Sequence, residues 1–510
     1  VTSAGPSSAR DVVLGVDVGT TSVKTTGFAT DGSAIAGAEH GYPLDQPHPG
    51  HAVQDPDVVV DATMRTIREA VAAVLEAEPD ARIAGIGVST ALHGLAALDG
   101  DDRPLTPLVT WADTRATEQA ERLKAERPEL HDRTGTPLHP MAPLAKLVWF
   151  REKEPETFAA ARRWVGRKEL VLHRLTGEWV VDHSIASGTG LFSLADLDWD
   201  AEALEVAGIT ADLLARPVPT TTAPALSAAA TEETGLPPGT PVVVGAGDGP
   251  LANLGVGAVK PGVAACSIGT SGALRLTVER PVIDPRRRLF AYDLDADRWV
   301  TGGAINNGGV VLEWAGEALA PDLGPHSEDE LLALAAEVPA GSDGLVMLPY
   351  LLSERAPNWS ATPRGAYVGL TRAHGRGHLI RAAVEGVCQQ LALVLASLRE
   401  AGNEVDEIRA TGGFARSPFW RQLLADVLGM PIAFPESHEG SGFGAALLAM
   451  QALGLVDSID TAADLVTIAE TVRPDPEAAA HYAELLPFFA SLYDALEPTF
   501  RDLRRFAPQG

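Results

Sequence analysis

Two short stretches decide how this chain is read: Asp17-Val18-Gly19-Thr20-Thr21-Ser22 and Ser267-Ile268-Gly269-Thr270-Ser271-Gly272. Each follows an apolar run, Val12 to Val18 and Ala264 to Ile268, and each leads into a second run, Thr25 to Ala29 and Ala273 to Thr277. Apolar runs joined across a tight Gly-Thr turn predict antiparallel hairpins. Asp31-Gly32 marks a further turn, so the chain opens on consecutive hairpins. The return of the unit in the second half predicts a duplicated domain with its boundary near residues 250–260. One large α/β domain with a chance repeat is the competing reading.

Between and beyond the hairpins, strand-like and helix-like segments alternate, which predicts an α/β fold. Val60, Met64, Ile67, Val71 and Val74 give one helix an apolar face, and Ile83 to Val88 follows as a buried strand. Residues 116–240 read as helix-rich, closing on the breaker Leu236-Pro237-Pro238-Gly239 before a strand at Val242 to Gly245. In the second half Ile380, Val384, Val387, Leu391, Val394 and Leu398 mark a long helix. Strand Glu407–Thr411, helix Ser417–Gly429, strand Pro431–Phe434 and a helix from Gly442 come next. An amphipathic segment from Leu485 to Phe506 closes the chain.

Composition narrows the function. In 510 residues, 40 Lys and Arg stand against 68 Asp and Glu, a net charge of −28. That balance excludes nucleic acid and anionic membrane as main partners, because both need a basic surface. It leaves room for a phosphate ligand, since salt confines the global field to about 8 Å. Two cysteines, Cys266 and Cys388, cannot build a disulfide framework or a C-x-x-C zinc site. No apolar run approaches the ~18 residues of a membrane span. Residues 1–10 read as a disordered tail without a signal-peptide core, and the expected location is cytoplasmic. The P-loop, Rossmann, zincin, hydrolase-elbow and protein-kinase motifs are all missing.

Several residues could carry chemistry. In the first turn, Gly19 lets backbone N–H groups approach phosphate oxygens, and Thr20, Thr21 and Ser22 add hydroxyls. Asp17 could hold a hydrated Mg²⁺ between phosphates, and Lys24 is a further phosphate contact. The plainer reading is a hairpin whose Asp and Thr cap the turn. Gly269 and Thr270 offer the same donors in the second turn, without an acid. Two such turns could clamp one polyphosphate. Gly412 and Gly413, ahead of a helix starting at Ser417, let a ring or a phosphate lie against the backbone; Ser417-Pro418 also reads as an ordinary N-cap. Asn306-Asn307-Gly308-Gly309 precedes another helix. Asp248, between Gly247 and Gly249, is either an exposed base for a hydroxyl or an Asx-turn. His93, Trp111, Asp113 and Arg115 follow strands, where α/β proteins place small polyhydroxylated ligands; a buried His and an N-capping Asp are the alternative. Lys24 and Lys168 are the motif-adjacent members of a set of six lysines.

Taken together, DVGTTS (17–22), GDG (247–249), SIGTSG (267–272), TGGFARSP (411–418) and GSGFGAAL (440–447) resemble the FGGY carbohydrate kinases of the actin-like, ribonuclease-H-fold ATPase superfamily. STALHG (89–94), TWADTR (110–115), TGTPLHPMAPLAK (134–146), GGAINNGG (302–309) and SERAPNW (353–359) are similar to the gluconate-phosphorylating branch. Leu92 departs from that branch, which carries Met there, and Gly94 is closer to the xylulose kinases. The resemblance implies two actin-like domains, 11–255 for sugar and the first phosphate loop and 256–510 for nucleotide, with a cleft between them. It implies ATP and Mg²⁺, with Asp17 and Asp248 at the metal and Asp248 as catalytic base. Gly19, Thr20, Thr21, Ser22, Lys24, Gly269 and Thr270 would face the phosphates, and Gly309, Gly412, Gly413 and Ser417 would surround ADP. His93, Trp111, Asp113, Arg115 and Lys168 would line the pocket of a sugar acid, Arg115 or Lys168 meeting its carboxylate. The implied reaction is phosphorylation of D-gluconate at O6; a pentulose or polyol is the alternative acceptor. A homodimer is compatible with the resemblance. A non-metabolic actin-like ATPase is a reading of a different class, for which the chain offers no Lys/Glu-rich lid after residue 455.

Overall fold

The computed structural model describes residues 10–436, 440–503 and 505–506. The tail expected over residues 1–10 lies outside this range except for Arg10. That residue belongs to the fold: its guanidinium pairs with Asp31 at 2.7 Å and Glu78 at 2.9 Å, and its carbonyl accepts from Arg82 N.

Two sheets carry the architecture. The first runs, in spatial order, Val242–Gly247, Arg82–Thr90, Asp11–Val18, Ser22–Ala29 and Ala34–Gly41. Asp11–Val18 pairs antiparallel with Ser22–Ala29 and parallel with Arg82–Thr90. The second sheet has the same five-strand core: Ile432–Pro435, Glu407–Thr411, Val263–Ile268, Gly272–Val278 and Arg298–Ile305. Directions match too, with Val263–Ile268 antiparallel to Gly272–Val278 and parallel to Glu407–Thr411. Phe290–Asp295 and Ile468–Val472 extend its two edges. The repeat read from the two Gly-Thr turns is thus a repeat of sheet topology, not a chance match of letters.

The central strands are apolar on both faces because helices cover both, as parallel pairing requires. Pro56–Ala77 buries Met64, Ile67, Val71 and Val74 as their spacing predicts, together with Val59, whereas Val60, expected on that face, is only half-buried. Arg376–Glu400 is long and apolar enough to cross a membrane, yet 83% of its apolar window is buried inside the protein. It is the central helix of the second half. The amphipathic segment placed at Leu485–Phe506 is a helix starting earlier, at Pro476, and ending at Leu503.

The halves meet at glycines. Helix Gly440–Ala452, from the second half, lies against the first sheet. A Cβ on Gly15 would sit 2.0 Å from Gly442 O, and one on Gly87 would sit 2.1 Å from Ala445 O. Helix Asp248–Gly255 crosses it equally closely, since a Cβ on Gly255 would meet Gly440 O at 2.0 Å. Backbones this near admit no side chain at Gly15, Gly87 or Gly255, and within GSGFGAAL the same holds for Gly444, whose Cβ would meet Leu251 O at 2.1 Å.

Candidate active site

Asp17 ends its strand opposite Ser89 on one neighbour and Lys24 on the other. Ser89 Oγ donates to one carboxylate oxygen at 2.8 Å, and Ser441 Oγ, from the second half, donates to the other at 2.9 Å. Asp248 opens helix Asp248–Gly255 directly after strand Val242–Gly247. Burial and the neighbouring Asp17 push its carboxyl up to about 6, while Arg275 and Arg167 pull against that. Burial raises Asp17 as well. Two buried carboxyls, one of them raised by the other, call for a cation. Among the described residues no group of three or more His, Cys, Asp or Glu could hold a metal. This donor set therefore fits a hard ion that keeps waters and phosphates as its other ligands, as Mg²⁺ does.

The first turn is held from behind. Gly19 N donates to Ser22 O at 2.9 Å, the Tyr42 hydroxyl donates to Gly19 O at 2.7 Å, and Gln54 Nε2 donates to Thr20 O at 2.6 Å. Arg167 donates in turn to Gln54 Oε1. Thr21 and Lys24 are exposed. In the second turn, Gly269 and Thr270 are exposed, and Gly308 and Gly309 pack beneath them. Gly309 N donates to Gly269 O at 2.6 Å and Gly308 N to Thr270 O at 3.1 Å. A Cβ on Gly308 would lie 2.6 Å from Ser271. Gly309, expected around ADP, has its N–H committed to shaping this turn. Gly412 and Gly413 are exposed, and Gly412 takes φ +117 against Ile268 O. Ser417 caps the next helix, accepting from Trp420 N at 3.3 Å.

A cavity of about 200 Å³ lies between the halves. Thr20, His93, Trp111, Met141 and Asp248 line it from the first half; Ser267, Arg275, Phe290, Tyr292, Arg355 and Trp359 line it from the second. His93, at φ +66, donates from Nδ1 to Gly188 O at 2.7 Å, which leaves Nε2 as an acceptor. Burial, with Lys146 nearby, lowers it to about 3, so it is neutral. Trp111 Nε1 donates to Thr20 Oγ1 at 2.8 Å, linking the pocket to the first turn, and the Arg355 guanidinium sits 4.9 Å from the Trp111 ring centre.

Three expected pocket residues lie elsewhere. Lys168 is fully buried behind the strand ends: Nζ donates to Val88 O at 2.6 Å, Val244 O at 2.7 Å and Ala246 O at 3.0 Å, and faces Asp182 at 3.3 Å. Its ammonium bridges the irregular register at Gly245, two residues before the GDG loop, and has no donor left for a sugar. Asp113 and Arg115 form a closed pair with two 2.8 Å bonds; Asp113 also accepts from Ala52 N, and Arg115 stacks 5.1 Å from the Trp149 ring centre. Neither lines the cavity. The cations that do are Arg275 and Arg355; sequence reasoning passed over Arg275, just beyond SIGTSG, and quoted Arg355 only within SERAPNW, without a role. Alternation along strand Gly272–Val278 was the available signal for Arg275.

The family model for the FGGY carbohydrate kinase N-terminal domain matches residues 12–255, and that for the C-terminal domain matches residues 264–453. The chain is 41% identical to a gluconokinase of Bacillus subtilis, covering 96% of this chain and 97% of that protein. It superposes on the crystal structure of gluconate kinase from Lactobacillus acidophilus with a TM-score of 0.92 at 35% identity, over 97% of this chain and all of the other. A ligand-bound xylulose kinase from the same organism gives 0.91, also at 35% identity and over the same shares. With two matching sheets, a Gly-Thr turn on each and family models covering both halves, this chain belongs to the FGGY family of carbohydrate kinases, phosphotransferases that use ATP.

Proposed function

We propose that the protein transfers the γ-phosphoryl group of ATP to O6 of D-gluconate, giving 6-phosphogluconate, in the cytoplasm. Residues 11–255 bind the sugar and present the first phosphate loop, and residues 256–510 bind the nucleotide. One observation carries the chemistry: among the described residues Asp248 is the single carboxylate lining the interdomain cavity, and it sits beside Asp17 at the phosphate end. Gluconate is favoured over an uncharged ketose by the higher identity to gluconokinases, 41% against 30% for a xylulose kinase of Bacillus subtilis.

Phosphoryl transfer passes through a loose transition state, so positioning and charge neutralisation do most of the work. Asp248 accepts a hydrogen bond from the sugar hydroxyl and takes its proton as the new bond forms. The turns at Gly19 to Ser22 and at Gly269 and Thr270 face the phosphates, Gly19 N and Gly269 N closing them by donating to Ser22 O and Ser271 O and the hydroxyls of Thr20, Thr21, Ser22 and Thr270 serving as donors, with Lys24 adding charge. Asp17, oriented by Ser89 and Ser441, would hold Mg²⁺ through water, and the ion would neutralise charge on the phosphates. Gly412, Gly413 and Ser417 leave flat, open backbone for the adenine side. His93 Nε2 and Trp111 bound the sugar. Because both halves line the cavity, their approach excludes water that would otherwise hydrolyse ATP.

The test is an acceptor panel. ATP consumption with D-gluconate, D-xylulose and D-ribulose should show kcat/KM highest for gluconate. A preference for a ketulose would replace the gluconate assignment and keep the kinase. ATP turnover that no sugar stimulates would favour the non-metabolic ATPase.

A further inference from the structure

The cavity holds two guanidinium groups and, among the described residues, one carboxylate, Asp248, which the proposed function commits to the sugar hydroxyl. Arg275 makes a single long hydrogen bond, 3.4 Å from Nη1 to Ser267 Oγ, and among the described residues no Asp or Glu lies within ion-pair distance of it. In the ladder Arg275 pairs with Gly302 and Gly302 with Phe290, so the guanidinium and the ring flank a position without a side chain. Arg355 donates from Nη2 to Ile305 O at 3.0 Å, but its Nε has no partner. The Tyr292 hydroxyl, in a residue only 3% exposed, has none either. Like charges and unpartnered polar atoms recessed in one cavity are costly unless an anion completes them. Burial lowers both arginines, and Arg275 lowers Arg355 further, while Asp248 and Tyr292 act the other way on each.

From this geometry we infer that Arg275, with Arg355 and Tyr292, forms the carboxylate subsite for a sugar acid, and that Arg275 sets the preference for an acid over an uncharged sugar. The inference rests on the gluconate reading. A planar carboxylate accepts two parallel N–H bonds from a guanidinium, which an amide or a hydroxyl cannot match with charge. It replaces Arg115 and Lys168, whose charges are closed off within the protein.

The test measures KM and kcat for D-gluconate and its uncharged amide, D-gluconamide, in wild type, Arg275→Gln and Arg275→Lys. In wild type gluconate should be preferred by at least tenfold. Arg275→Gln should raise the gluconate KM at least tenfold, move the gluconamide KM less than threefold, and abolish the preference. Arg275→Lys should recover part of it. Removing a buried guanidinium that has no ion pair among the described residues should leave the ligand-free melting temperature of Arg275→Gln no lower than that of wild type, while gluconate should stabilise the variant less. An unchanged gluconate KM overturns the inference, and so does an equal loss of kcat on both acceptors, which would place Arg275 on the transferred phosphoryl group. A wild type active on ketuloses and silent on gluconate overturns the gluconate reading itself, and is read independently of any variant.

Discussion

The two Gly-Thr turns occupy matching places in their sheets and are held by different means. Side chains grip the first: Tyr42, Gln54 and Trp111 reach its carbonyls and hydroxyl from other elements. Backbone grips the second, where Gly308 and Gly309 lie so close beneath Gly269 and Thr270 that a methyl group would not fit. The first half also carries both carboxylates, and the second carries both cavity arginines. On the proposed function, the two turns supply two phosphate-facing backbones, the first half supplies the metal ligand and the base, and the second supplies the cation for the acceptor's carboxylate.

The largest test of that division is Asp248→Asn. It should lower kcat by about 10²- to 10⁴-fold, the range for losing a general base, while nucleotide binding measured by calorimetry holds. In wild type, Asp248 is protonated below about pH 6, so kcat/KM for the sugar should fall as pH drops through that value. A profile flat from pH 5 to 8 would remove Asp248 from the role.

Next in size is Lys168→Met. It leaves Asp182 buried without its partner and three carbonyls without a donor, so unfolding in urea should show a loss of about 3–5 kcal/mol. Unchanged stability would mean that the strand ends do not depend on the ammonium. Ser441→Ala tests the link between halves, since its hydroxyl reaches from the second half to Asp17. The Mg²⁺ concentration needed for half-maximal rate should rise about tenfold, as expected for a group that orients a metal ligand. The smallest effect is Tyr42→Phe, which frees two carbonyls of the first turn. A loss of about 1 kcal/mol in stability, with a modest rise in the ATP KM, would fit a turn gripped by side chains. No change in either would show that the first turn holds itself.

What was legible in the sequence was local. Glycines at tight turns, apolar periodicities and the repeat of a Gly-Thr hairpin follow from backbone sterics and side-chain period. The strands, the long helix Arg376–Glu400 and the doubled sheet stand where these signals put them. Asp17 and Asp248 were singled out by their place at strand ends beside glycines, a pattern that caps a turn equally well, and only packing brings the two carboxyls near enough for Asp17 to raise Asp248. Which cation meets the substrate was not legible. Arg115 and Lys168 carry the right charge near the right motifs, but a charge is available to a ligand only if no protein group has claimed it. Asp113 claims one and three carbonyls with Asp182 claim the other. Arg275 and Arg355 lie 182 and 262 residues beyond His93 in the chain, and only the packing of one half against the other brings them into its cavity.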